Sequence, residues 1–564
     1  VTETASERFD LLVRGGTLVD GSGSPGVPGD LGIRGGRIAA MGEVSGRGDR
    51  TLDATGCVVA PGFVDIHTHY DAQIFWDRML SISPWHGVTS VVMGNCGFGV
   101  APTRPEHRDL ILRTLESVEG MSLDALREGV GEDWPFESFP EYLDAIEARG
   151  VAINVGALIG HTPLRLFVMG EEATEREATP AEIETMAGLV REALDAGALG
   201  FATSKAPTHV GYAGRPVPSR AASLAELEAL VDPLADVGHG VVQATVGRGL
   251  FVSELADLQR RTGRTVSWTA LLQGLFGPDG HRRALELTEK LQADGVRVVP
   301  QVSCRPLVVE FQFKAPFPLE SLSVFKPVSA ADLEGKKRLY ADASWRASFR
   351  ERCREGVLTG NWDDMVLTEY PGRPELADRS VAELAAEAGV DPADFALDAA
   401  LATDLEARFR MPVANTDESE VADLLRHPGT VLGLSDAGAH ASQLCDACAP
   451  THLLGHWVRE KGVLTVEEAV RQLTRDTADT FGLSDRGRLA IGAAADVAVF
   501  EPDRVGCSPL RRVRDLPGGA DRLVSDASGI RAVIVNGTTI RENGRDTIDR
   551  EGPLPGRILR GGRV

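Results

Sequence analysis

The chain contains no run near the roughly 18 consecutive apolar residues that a bilayer-spanning helix needs, and its opening, VTETASERFDLLVRGG, lacks a basic segment followed by an apolar stretch. A soluble, cytoplasmic protein is the expectation. Cysteine is scarce: seven in 564 residues, an odd number scattered along the chain, which makes no disulfide framework and fits a reducing compartment. Cys445 and Cys448 form a CxxC with no second CxxC to match it, and they read as ordinary thiols. Positive charge is in deficit, with 59 basic residues against 82 acidic ones and a net charge of -23. Phosphate backbones and anionic headgroups would be repelled, which argues against nucleic-acid and membrane partners. Internal repeats and low-complexity tracts are also missing. With 43% hydrophobic and 25% charged residues, the chain can bury a large core in more than one domain. The expected partner is a small-molecule substrate, and self-association into a homo-oligomer stays open.

Residues 9 to 60 read as short β-strands separated by Gly-Gly and Gly-Ser turns, and the stretch after residue 484 has the same look. The two ends, 1–60 and 484–564, are expected to pair into a small β-sandwich. Between them strands alternate with amphipathic helices, the pattern of parallel βα units. Thr179, Pro180 and Glu182 open one such helix as a capping box, Ile183, Met186, Leu189, Val190 and Ala193 follow at helical spacing, and Gly197 closes it before ALGFATS. Eight strands can be counted, near 63–69, 90–95, 152–159, 198–204, 240–246, 265–271, 296–303 and 430–435. The fold class is therefore α/β, a (β/α)8 TIM-like barrel over 61–483. The connection at 305–425 is too long for one loop and predicts an inserted subdomain between strands 7 and 8, shaping the substrate entrance.

In Pro61-Gly62-Phe63-Val64-Asp65-Ile66-His67-Thr68-His69, residues two apart on a strand share a side, so His67 and His69 converge on one ion at the end of the first barrel strand. Barrel active sites lie at that end. Leu434-Ser435-Asp436-Ala437-Gly438-Ala439-His440 follows the eighth strand, which neighbours the first in a closed barrel. The Asp436 carboxylate can there ligate the metal and accept a proton from the attacking water. Met93-Gly94-Asn95-Cys96-Gly97-Phe98-Gly99 ends the second strand and offers a thiolate, a strong zinc ligand, as ligand or bridge.

Those motifs, together with the opening LVRGGTLVDGSG and the closing GRLAIGAAADVAVFEP and VIVNG, resemble the amidohydrolase superfamily over nearly the whole chain, and within it the D-aminoacylase (N-acyl-D-amino-acid deacylase) group. The resemblance implies a barrel with a sandwich made from both termini. It also implies zinc on the residues matching His67, His69, Cys96 and Asp436, with Asp436 as general base. D-aminoacylases carry a histidine at the end of strand five and another at the end of strand six. Here those strands read VVQAT and VSWTA, so one metal ion is expected rather than two.

Further candidates surround this set. His161, after strand three, is a donor for the scissile carbonyl or a structural histidine. Lys205, ending strand four, is a carboxylated metal bridge, a cation for a substrate carboxylate, or a surface lysine. His209 and Arg220 flank the loop GYAGRPVPSR as substrate contacts. The expected function is metal-dependent deacylation of an N-acyl-D-amino acid. The alternatives are hydrolysis of a cyclic amide, imide or N-substituted formamide, or a non-hydrolytic isomerase, lyase or binding protein on the same barrel.

Overall fold

Val58–Pro61, VVAP, is buried throughout because it lies in the middle of a sheet. It pairs antiparallel with Val497–Phe500 from the far end of the chain, Val59 opposite Val499. Around this seam a nine-stranded sheet takes five strands before residue 62 and four after residue 496. Leu11, Val13, Leu31 and Ile33 from one end pack with Val497, Val499 and Ile534 from the other. The computed structural model describes residues 7–320, 322–354 and 362–562.

The chain leaves this sheet through Gly62 and enters an eight-stranded parallel sheet. Its strands are β1 (Phe63–Asp65), β2 (Val88–Met93), β3 (Asn154–Gly160), β4 (Gly200–Ser204), β5 (Val241–Thr245), β6 (Val266–Thr269), β7 (Val298–Val302) and β8 (Val431–Leu432). Each pairs in parallel with the next. The ring is closed past β1 and β8 by a parallel bridge between Thr68 and Ala437, with the His69 amide donating to the Ala437 carbonyl at 2.7 Å. β2 and β3 are buried at every position, as strands covered on both faces must be. The helix before β4, Pro180–Ala196, starts with the expected capping box from Thr179 and Glu182 and stops at Gly197, φ 109°. It turns Met186, Val190 and Ala193 inward.

Between β7 and β8 the chain builds a four-stranded antiparallel sheet from Leu307–Gln312, Val366–Glu369, Arg379–Ser380 and Arg408–Ala414. Phe311, Phe313, Phe325, Tyr340, Trp345 and Phe409 give it a hydrophobic core of its own. The last helix before β8, Glu418–Arg426, instead packs Val421, Leu424 and Leu425 with the barrel. No helix among the described residues is long and apolar enough to cross a membrane.

Candidate active site

His67 and His69 lie just past β1, their ring centroids 5.3 Å apart. His67 is fully buried. Its Nδ1 meets the Gln301 Oε1 of β7 at 2.7 Å. An amide oxygen can only accept, so Nδ1 carries the proton and Nε2 keeps its lone pair for an ion. Cys96 sits in the turn Asn95–Gly97 with φ 57°, a left-handed conformation that costs a non-glycine residue about 1–3 kcal/mol. Two features hold it there. The Cys96 amide donates to Gln243 Oε1 of β5 at 2.7 Å, and the turn is pressed so closely on the barrel that a Cβ on Gly94 would come within 2.2 Å of the Leu158 carbonyl. Asp436, at φ 45°, follows Leu434 at φ 60° and precedes His440 at φ 48°, so the acidic loop is bent repeatedly to aim its carboxylate back over β1.

Cys96 Sγ lies 3.3 Å from His67 Nε2. Asp436 Oδ1 lies 3.2 Å from His67 Nε2 and 3.7 Å from His69 Nε2. Metal–ligand lengths of about 2.0–2.3 Å in a tetrahedron put donors roughly 3.3–3.8 Å apart, and these three separations match that size, although Asp436 is not within 4.8 Å of all three other donors. His67, His69 and Cys96, whose donor atoms all lie within 4.8 Å of one another, are the one such group of three or more among the described residues. The electrostatics agree with a cation site. Burial raises the Cys96 thiol, but His67 and His69 outweigh it and bring the thiol down to about 7. Burial opposes ionisation of Asp436 too, yet its hydrogen bond to His69 and the nearby imidazoles hold the carboxyl well below its usual range. Behind this set, Asp65 accepts from Ser435 Oγ at 2.5 Å and from the His67 amide at 3.2 Å, tying β1 to the loop after β8.

The donors open on a cavity of about 510 Å³. Phe98, Val246, Phe251, Leu272, Leu275 and Phe276 supply much of its wall, and Leu307, Val309, Pro318 and Val413 of the insertion complete it. His209 also lines it. Ser204 Oγ accepts from the Ala206 amide at 3.2 Å and meets His209 Nδ1 at 2.7 Å, which fixes the orientation of the ring. Burial pushes this imidazole down to about 3, which leaves it neutral.

Three expected site residues face elsewhere. His161 opens the helix His161–Met169 and is fully buried behind β4, with Nδ1 2.9 Å from Thr203 Oγ1 and Nε2 2.9 Å from Glu226 Oε1. Both ring nitrogens are occupied within the fold, so it is not a donor to a substrate carbonyl. Lys205 is buried and donates to the Ala222 carbonyl and, at 3.2 Å, to that of Arg220. It is a strut under the loop, neither metal bridge nor substrate cation nor surface lysine. Arg220 donates to the Pro207 and His209 carbonyls at 3.2 and 3.0 Å and does not line the cavity.

The guanidiniums that do line the cavity are Arg248 and Arg305. Arg305 is neutralised by Asp446 at 2.6 Å, whereas Arg248 is exposed and forms no ion pair among the described residues. Sequence reasoning missed both, together with Gln301 and Gln243. A signal existed for the glutamines, each a lone amide inside an otherwise apolar strand, VVPQV and VVQAT. β5 and β6 carry no histidine, and Gln243 Nε2 of the one donates to Thr269 Oγ1 of the other at 3.4 Å.

The model of the amidohydrolase family matches residues 50–354 and 364–541. The chain is 31% identical to a D-aminoacylase of Alcaligenes xylosoxydans xylosoxydans, covering 99% of each chain. It is 32% identical to an N-acyl-D-glutamate deacylase of the same organism, covering 98% of this chain and 97% of the other. Among solved structures, an N-acyl-D-glutamate deacylase from Bordetella bronchiseptica complexed with zinc and a phosphonate mimic of the tetrahedral intermediate superposes with a TM-score of 0.67, at 28% identity, over 98% of this chain and all of that one.

Proposed function

The chain belongs to the amidohydrolase family, and from that premise we propose that it is a metal-dependent hydrolase that removes the acyl group from an N-acyl-D-amino acid with an apolar side chain. The observation that carries this reading is the Asp436 carboxylate within 3.7 Å of two imidazoles, at the floor of a cavity walled by apolar side chains.

His67, His69, Cys96 and Asp436 would hold one zinc ion. Two nitrogens, a thiolate and a carboxylate suit that metal, while the amide and hydroxyl on β5 and β6 are poor replacements for the histidines of a second site. When bound, the metal supplies a water acidified towards neutrality and a Lewis acid for the acyl carbonyl. Asp436, held ionised, accepts the proton of the attacking water and returns it to the departing nitrogen. Gln301 fixes the tautomer of His67. His209, neutral on the cavity wall, donates in its Nε2–H tautomer to the oxygen on which negative charge develops. The apolar wall excludes bulk water.

Arg248 is the anchor for the substrate carboxylate. With Arg305 already paired to Asp446, no second free guanidinium among the described residues lines the cavity for an acidic side chain, and the wall favours bulky apolar groups. Assay of the zinc-loaded enzyme on N-acetyl-D-leucine, N-acetyl-L-leucine and N-acetyl-D-glutamate is the test. Turnover of the first above the other two is expected, and equal turnover of the enantiomers or preference for glutamate overturns the reading.

A further inference from the structure

At the opposite end of the barrel, where strands begin, a second cavity of about 540 Å³ is lined by residues just before β4, β5, β6 and β7 and by the segments 479–486 and 557–562. Its acidic side chains already have cations of their own. Glu147 pairs with Arg560 at 2.7 Å, Asp479 with Arg488 and Arg475, and Asp485 with Arg486 at 3.4 Å. Arg264, Arg297 and Arg557 also line the cavity and form no ion pair among the described residues. Arg264 spends only one N–H, on the Gly238 carbonyl. Its Nε and the neighbouring His239 Nδ1 are buried without a hydrogen-bond partner. In a chain of net charge -23, a concave surface that keeps three guanidiniums without acidic partners among the described residues is built for an anion rather than for solubility.

We infer that this hollow binds a phosphate dianion, free or as the monoester of a small metabolite. The guanidinium fork presents parallel N–H donors matched to phosphate oxygens. Lying at the opposite end of the barrel, it does not overlap the catalytic cavity, so ligand and substrate bind together.

The test is calorimetric titration of the zinc-loaded full chain with inorganic phosphate and with glycerol 2-phosphate, at ionic strength held constant with chloride. Saturable binding is expected, weakened about ten-fold or more by Arg297→Met, with KM for the acyl substrate unchanged. Arg297 is exposed, so that variant is expected to fold, and Arg264→Met is the second probe. Tighter binding of the monoester assigns the site to an organic phosphate, and equal or weaker binding to the free ion. No saturable binding up to about 10 mM, binding untouched by both variants, or phosphate competing with substrate overturns the inference.

Discussion

Replacing Gln301 by leucine isolates the support of the metal site from the ligands themselves. Leucine nearly keeps the volume but removes the oxygen that His67 Nδ1 meets at 2.7 Å and the amide that donates to Ser267 Oγ at 3.0 Å. His67, Gln301 and Ser267 are all fully buried, so bulk water does not restore the missing acceptor. A buried N–H left alone costs about 1–3 kcal/mol, and the ring loses the contact that selects its tautomer. Loss of such an outer partner lowers metal affinity about 10–100-fold, or roughly 1.4–2.7 kcal/mol. Chelator competition should show zinc dissociation rising by that factor, while kcat at saturating zinc stays near normal. Gln301→Glu, which keeps an acceptor oxygen in reach, should recover most of the affinity. Unchanged zinc affinity in the leucine variant, or lost turnover that excess zinc does not restore, would refute the argument that Gln301 works through His67.

Asp436→Asn retains shape and loses the base, so turnover should drop about 10²–10⁴-fold in steady-state assays with bound zinc measured in parallel; near-normal turnover removes Asp436 from the mechanism. Arg248→Met should raise KM about ten-fold or more for carboxylate substrates and leave their carboxamide analogues alone. Elemental analysis after loading with excess zinc should find one ion per chain, and a second tightly held ion would mean that other groups replace the absent histidines. His86, buried between Thr451 and Ser525, is pushed by burial from 6.5 down to about 3. An unfolded chain therefore binds a proton here that the folded one refuses. Its contribution is complete above pH 6.5 and fades as pH falls towards 3, by roughly 5 kcal/mol in all. Urea titrations at stepped pH should show stability falling across that window, with a shallower fall in His86→Gln.

The eight barrel strands were legible because each is a short apolar run before a chain reversal, and their observed positions fall within or beside the expected intervals. The seam between the two ends was legible from matching apolar runs such as VVAP and VAVF. The interior of the insertion was not: its strands come in the order Leu307–Gln312, Arg408–Ala414, Val366–Glu369, Arg379–Ser380, and such long-range pairing leaves no local periodicity to read. The HxH pair was legible for the opposite reason. Two residues of extended backbone suffice to point both imidazoles one way, and Cys96 announces itself between glycines that the packing demands.

What could not be read was the direction of long charged side chains on loops. Lys205 ends β4 as a metal-bridging lysine would, yet its ammonium finds backbone carbonyls 15 and 17 residues further along, a contact set by where the 207–222 loop returns. Arg220 is spent on that same loop, while Arg248, a few residues past β5, stays exposed at the cavity. The missing histidines follow the same logic. At the ends of β5 and β6 the side chains bond to each other, and Gln243 carries the backbone of Cys96. Gln243, inside β5, thereby holds Cys96 in its left-handed turn. The geometry of the proposed donor set thus depends on a glutamine that is not itself one of the donors.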